Sequence, residues 1–242
     1  MLFISWLFSL KIMKHFEYKK INIDKISEIV YNNYCEENNI SNTRTKNSID
    51  KAFEIIKRSA RPEIIWKTFP IINDNSIISL HKKKYIITSK KMSNIFLHCD
   101  EVAVCAITLG NKIDKKIKSK KLKMYEQMVL DDMASSVIDA VMEISRLYIG
   151  TNISYDKSLT NTYSPGYCDW DLSQQKMIFS LLPHNALEIE LSSSLLMKPR
   201  KSIISLIGIG DSKTIQKYGN TCSSCGDKKC DFRRKHDETN YI

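Results

Sequence analysis

From Val102 to Leu109 (VAVCAITL) every residue but Thr108 is apolar, on both alternating faces of what must be an extended segment, and Gly110 with Asn111 ends the run. A strand with one face in water alternates apolar with polar residues, so a strand without polar positions has to be covered on both sides. The segment predicts a central strand with packed material above and below it. A chain of 242 residues, 43% of them hydrophobic, is long enough to supply that cover. At roughly 150 residues per domain the length allows one large unit or two small ones, and one is expected.

The cover is legible on both sides of the strand. From Leu122 to Tyr148 the residues Tyr125, Val129, Met133, Val137, Ala140, Ile144 and Leu147 follow one helical stripe with no proline or glycine inside, which predicts one long core helix. Ile26, Ile29, Val30 and Tyr34 behind Asp24, and Ile49, Ala52, Phe53 and Ile56 ahead of Pro62, predict two shorter amphipathic helices. Ile64 to Phe69, Tyr85 to Thr88, Leu187 to Leu191 and Ser202 to Ile209 are rich in β-branched or apolar residues and read as strands. Thr151 to Asn161 is polar and reads as a linker. Asp171, with Gln174 three residues on, reads as the capped start of a helix that ends before Pro183. Helices and strands cluster instead of alternating, which predicts an α+β fold: a single domain with a twisted, mainly antiparallel sheet, a long core helix and flanking helices. The expected division is an N-terminal arm over 1–23, the domain over 24–217, and a cysteine-rich tail over 218–242 packed on it.

The formal charge of +10 is spread along the chain. Its local runs, Lys82 to Lys84 and Lys115 to Lys123, read as solvated faces, with docking of an acidic partner as the functional alternative. The apolar start, Leu2 to Leu10, is too short to span a bilayer and has neither the basic flank nor the cleavage site of an export signal. Seven cysteines without a regular disulfide framework then predict a cytoplasmic protein with free thiols or metal ligands. No membrane and no nucleic acid is expected as a partner.

Ser164-Pro165-Gly166-Tyr167 is a turn by its own chemistry: proline fixes one φ, glycine admits a positive one, and an aromatic ring is presented at the tip. Further on, Cys222, Cys225 and Cys230 form C-x2-C-x4-C, and Cys168 follows the turn tyrosine. Four thiolates suit an iron-sulfur cluster or zinc, and Cys168 would bring the tail back onto the turn. Cys35, Cys99 and Cys105 lack metal spacing and read as core or near-core thiols, and His98 and His184 are isolated. Asp131, Asp139 and Glu143 on the long helix read as solvated or capping carboxylates.

The order of the YSPGYCDW turn, the helix DLSQQKMIFSLL, a strand, and then Leu196-Met197-Lys198-Pro199 with Lys201-Ser202 resembles the activation domain of cobalamin-dependent methionine synthase. The segments ITLG (107–110) and LDDMASSVID (130–139) are similar to that family's strand and long helix, so the resemblance covers roughly residues 24 to 234. It implies a stand-alone protein that binds S-adenosylmethionine and presents its methyl group to cob(II)alamin. The cobalamin would be carried by a methionine synthase or related corrinoid protein, with flavodoxin or ferredoxin as electron donor. It further implies that Ser164, Pro165, Gly166, Tyr167, Met197, Pro199 and Ser202 line the adenosylmethionine site, with Tyr167 in the catalytic role. An aromatic face suits a desolvated sulfonium, and glycine lets a ligand approach the main chain.

Two positions depart from the family pattern. Thr162 stands where an arginine is usual, and Ser192-Ser193 where a Thr-Glu pair is common. Arg200 or Lys201 would be the substitute cation. A corrinoid-protein partner that has lost adenosylmethionine is therefore the second reading, alongside an iron-sulfur or zinc protein that relays electrons to a corrinoid protein. A zinc-ribbon nucleic-acid binder is a third, opposed by the lack of a second C-x2-C pair and of a basic-aromatic stripe.

Overall fold

The computed structural model describes residues 16–37, 42–80, 84–215, 221–225 and 228–230. The central strand is β5, Cys99–Thr108, whose residues from Val102 onward are all buried. On one side it pairs antiparallel with β2, Glu63–Asp74, and on the other with β9, Ser202–Asp211. The sheet has seven strands. β4 (Tyr85–Thr88), β3 (Ile77–Leu80), β2, β5, β9 and β6 (Lys157–Tyr163) follow in spatial order, and β1 (Glu17–Lys20) adds to β2. Every pairing is antiparallel. A separate two-stranded ribbon joins β7 (Glu190–Leu191) to β8 (Met197–Lys198).

One face of the sheet is covered by helices. α5, Met124–Gly150, runs about 40 Å and buries Leu130, Met133, Ala134, Val137, Ala140 and Val141 against Ala103, Cys105, Ile107, Ile207 and Ile209. α1 (Ile23–Glu37), α2 (Thr43–Ser59) and α4 (Asn111–Ile117) complete this layer. The other face, with Val102, Val104, Ala106, Ile204 and Leu206, is covered by Tyr163, Trp170 and the short helices α3 (Lys90–Ile95) and α6 (Gln175–Ser180). The fold is thus α+β, with the mainly antiparallel sheet and long core helix that the residue pattern predicts.

Several local expectations are corrected. The expected linker over Thr151 to Asn161 ends in strand β6, which is hard to see because Thr160 and Asn161 are buried polar residues. The Thr160 hydroxyl accepts from Gly208 N at 2.9 Å and donates to Asn161 O at 2.8 Å, which makes that burial tolerable. A register shift between Leu159 and Thr162 marks the irregularity. Asn22, not Asp24, caps α1, its side chain accepting from Asp24 N at 2.8 Å. The expected strand Leu187 to Leu191 shrinks to two residues, because His184–Leu187 forms a helical turn with His184 stacked on Phe179. The stripe on the long helix is exposed at both ends, at Tyr125 and Leu147. The expected arm contributes β1, since Glu17 pairs with Trp66, whereas Leu2 to Leu10 and the Lys82–Lys83 part of the basic run lie outside the described residues. The lysines from Lys115 to Lys123 are all exposed, in keeping with a solvated face.

β9 leaves no room for side chains at its far end. A Cβ on Gly210 would lie 2.0 Å from His98 O and 2.9 Å from Ile215 Cδ1. Backbone cannot retreat as a flexible side chain can, so Gly210→Ala is expected to destabilise the fold by about 2 kcal/mol or more. A urea midpoint equal to the wild-type value would contradict this packing.

Candidate functional site

Strand β6 delivers Tyr163, paired with Leu206, to the face of the sheet away from α5. Tyr163 and Trp170 are both buried, and Tyr163 meets Phe96 edge to face at 6.0 Å. Each of these two side chains contributes roughly 2–3 kcal/mol of apolar burial, and between them the chain has only six residues in which to turn. It does so with its own hydrogen bonds: Tyr167 N donates to Ser164 O (3.0 Å), Trp170 N to Tyr167 O (2.9 Å) and Gly166 N to Trp170 O (2.8 Å). Gly166 sits at φ 97° and Cys168 at φ 54°, both in the left-handed region, where a residue other than glycine is strained. Pro165 is buried, Gly166 is exposed, and Ser164, Tyr167 and Cys168 are half-buried. The turn is fixed at its ends and open at its tip.

Asp169 ties this turn to the neighbouring helix. Its carboxylate accepts from the Ser89 hydroxyl at 2.5 Å, from Lys90 N at 2.9 Å and from Lys91 N at 3.2 Å, while Ser89 Oγ caps Met92 N at 2.9 Å. Burial works to raise the Asp169 pKa, but hydrogen bonds from Ser89 and the helix N–H groups outweigh it and hold the carboxyl below its ordinary range. The Trp170 indole donates to Gln174 Oε1 at 2.8 Å, which also accepts from Thr88 N at 3.3 Å. The capping pair expected at Asp171 and Gln174 is therefore split: Asp171 accepts from Ser173 N at 2.7 Å, and Gln174 links the turn to β4. Ser89, Asp169 and Gln174 are the residues that sequence reasoning missed as shapers of the site. The signal for Asp169 was its place beside the turn; its partners lie some eighty positions upstream.

The second expected segment lies on the same face. Met197 packs at the edge of the core that holds Tyr163 and Trp170, Pro199 is buried behind a cis peptide bond, and the Ser202 hydroxyl donates to Thr108 Oγ1 at 2.9 Å. Gln175 Nε2 reaches Leu195 O at 3.5 Å and links the segment to the helix after the turn. Lys201 points the other way. Its ammonium meets Asp131 at 2.9 Å and Ser135 Oγ at 2.7 Å on α5, so it is engaged on the helical face and is not the substitute cation. Arg200 is exposed, with its main-chain N–H on Asp114 at 2.7 Å. Ser192 is used locally, its Oγ accepting from Leu196 N at 2.9 Å.

The tail reaches the site at Thr162 and Cys168. Thr221 Oγ1 donates to Thr162 O at 3.2 Å, while the buried Thr162 Oγ1 has no hydrogen-bond partner among the described residues. Desolvation by burial, followed by the effect of the neighbouring Cys225, pushes the Cys168 thiol up to about 12. None of the seven cysteines is in a disulfide. Among the described residues no group of three or more His, Cys, Asp or Glu is gathered as metal ligands, so the four expected thiolates Cys168, Cys222, Cys225 and Cys230 are not seen as a set. Cys222 is buried and Cys230 half-buried.

The remaining candidates fall outside the site. Burial pushes the Cys99 and Cys105 thiols up to about 12, as befits core thiols, and Cys35 lies 3.9 Å from Lys46 Nζ. Glu143 is 5% exposed and paired with Arg146, not solvated as expected. Asp131 serves Lys201. His98 is exposed. No helix among the described residues is long and apolar enough to cross a membrane.

No protein-family model matches the sequence, and no curated protein does. Among solved structures the fold matches the crystal structure of the MetH reactivation domain bound to AdoHcy, with a TM-score of 0.59. The match covers 80% of this chain and 78% of that chain at 12% identity. The two chains share a fold, the one that the order of segments around the turn implies.

Asp169 supplies a test of how the turn is held. Its folded-state pKa is depressed, so its stabilising contribution is present above the unfolded value near 4 and is lost as pH falls through the lower folded value. Asp169→Ala should destabilise the protein by about 1 kcal/mol at neutral pH, the loss expected for a helix-capping carboxylate. The gap from wild type should close on acidification. Parallel denaturation curves at pH 7 and pH 3 check both points, and a gap that widened toward low pH would reverse the assignment.

Proposed function

We propose that this protein binds S-adenosylmethionine at the Ser164–Tyr167 turn and serves the reductive reactivation of a cobalamin-dependent methyltransferase, methionine synthase or a related corrinoid enzyme. The observation that carries the reading is that the YSPGYCDW motif forms a rigid turn with an open tip, in a fold matching a reactivation domain solved with AdoHcy. Function is not fixed by fold alone, so the weight rests on the turn's chemistry.

The residues present fit such a ligand. The N–H groups of Gly166 and Tyr167 are used inside the turn, whereas the carbonyls of Pro165 and Gly166 take no backbone hydrogen bond within it, and Gly166 is exposed. Carbonyl oxygens and the half-exposed Tyr167 ring suit an amino group and a sulfonium, both electron-poor. Met197 and Pro199 would supply apolar walls, and Ser202, held by Thr108, would set the floor. Bound adenosylmethionine would supply an activated methyl group for a partner's cobalamin, with flavodoxin or ferredoxin as the electron donor. The protein's own part is to bind and orient, so no acid–base residue is required at the site.

A second reading is favoured by one observation: Thr162 is not an arginine, and Lys201 is engaged with Asp131 and so is not available as a carboxylate clamp. In that reading the protein docks on a corrinoid partner without adenosylmethionine. Titration calorimetry with adenosylmethionine separates the two. In an anaerobic assay of cob(II)alamin loss on a corrinoid protein, Tyr167→Ala is expected to slow the reaction about tenfold or more. An unchanged rate with saturable adenosylmethionine binding would remove Tyr167 from the site.

A further inference from the structure

We infer that the apolar run at residues 2–10 docks on a bare face of the sheet, the outer side of β2, β3 and β4. This inference does not rest on what the turn binds. Its first support is the face itself. Ile72 lies opposite Ser79, Ser79 opposite Ile86, and Ile77 opposite Thr88, so Ile72, Ile77 and Ile86 point to one side of three adjoining strands. They are 54%, 45% and 48% exposed and belong to neither apolar core. Ile71, Ile78 and Ile87 point to the other side and are buried. Isoleucines scattered singly on a surface need no cover, but a group of them on one face marks a contact.

The second support is where the chain enters. The helical layer reaches along β2 as far as Trp66, which meets Tyr148 edge to face at 5.6 Å, whereas Thr68 and Pro70, next on that side, are exposed. β1 runs antiparallel to β2 with Glu17 opposite Trp66, so the chain comes into β1 from the Ile72 end of β2. Phe16, just ahead of β1, already lies under Lys67 Nζ at 5.0 Å. From Ile71 onward β3 takes the edge of β2 that β1 uses, which closes the plane of the sheet to the entering chain. The side facing the turn is filled there by α3, through Met92 and Phe96. The isoleucine side is the one left open.

The run fits that face in length and in chemistry. The steps from Phe16 back to Leu10 reach up to ~20 Å, against ~17 Å along β2 from Lys67 to Ile72. Residues 2–10 extended span ~30 Å, ample for three strands that are together ~10 Å from first to last. The run, LFISWLFSL, carries no charge, and its two serines, Ser5 and Ser9, are four apart and so share one side whatever its period. The contact bears on the turn, because β4 ends at Thr88, whose N–H donates to Gln174 at 3.3 Å, and Ser89 beyond it donates to Asp169. Residues 2–10 thus brace, from the opposite side of the sheet, the strand that holds the turn.

The test reads Trp6 in the full-length chain. Of the three tryptophans, Trp66 and Trp170 are buried, so the difference in fluorescence between wild type and Trp6→Phe isolates Trp6. Acrylamide is expected to quench Trp6 about threefold more strongly in the double variant Ile72→Lys, Ile86→Lys than in wild type, because the charged face no longer shields the ring. Equal quenching in the two proteins overturns the inference. So does protection of Trp6 that is lost on dilution, which assigns the face to a second copy of the chain. Protection seen only with vesicles of phosphatidylcholine and phosphatidylglycerol overturns it as well, in favour of a membrane. Should the double variant fail to fold, benzoylphenylalanine placed at Phe8 of the otherwise unaltered chain decides the matter. A photo-crosslink within one chain to the peptides of Ile72, Ile77 or Ile86 supports the docking, and a crosslink elsewhere, or none, overturns it.

Discussion

The pairing of β5 with β9 is the constraint on which the remainder depends. Both strands are ten residues long and almost wholly buried, and their ladder lies between the helical layer and the layer that holds the turn. A strand buried on both faces satisfies its main-chain groups only through its neighbours, so β2 and β6 must flank the pair, and the lengths of those strands follow. Tyr163 at the end of β6 is the outcome of that requirement: it brings the chain out of the sheet beside Leu206, on the face opposite α5. The site is the place where the outermost of the paired strands leaves the ladder.

Much of this could be read from residue pattern, for physical reasons that differ by element. β5 and α5 were legible because their burial is apolar and periodic, and the turn because proline and glycine restrict φ in ways that belong to the residue itself. β6 was not, since its burial rests on hydrogen bonds between Thr160 and Gly208, and such partners leave no mark on a local pattern. The same holds for Lys201. Its position beside the expected site suggested a ligand cation, but strand alternation turns its side chain to the helical face and Asp131. Glu143 was misjudged because burial of a carboxylate depends on its arginine partner one turn away, a pairing equally common on exposed helices.

At the site itself, sequence order identified the elements and the structure supplied the fastenings. Asp169, Ser89 and Gln174 each hold a polar contact between segments some eighty or more positions apart, and together they join the turn to β4 and α3. The cysteines were chosen by spacing, and burial distinguishes among them: Cys222 is buried, Cys168, Cys225 and Cys230 are half-buried, and no group of three or more metal ligands is gathered among the described residues.

The fastening of the turn has a kinetic meaning. Because its ends are buried and its interior hydrogen bonds and the Asp169 contacts are formed in the folded chain, the Gly166–Tyr167 tip is preorganised, and an incoming molecule does not have to supply the entropy of ordering it. Association at such a surface is governed by diffusion and orientation, and discrimination among ligands falls to the rate at which they leave.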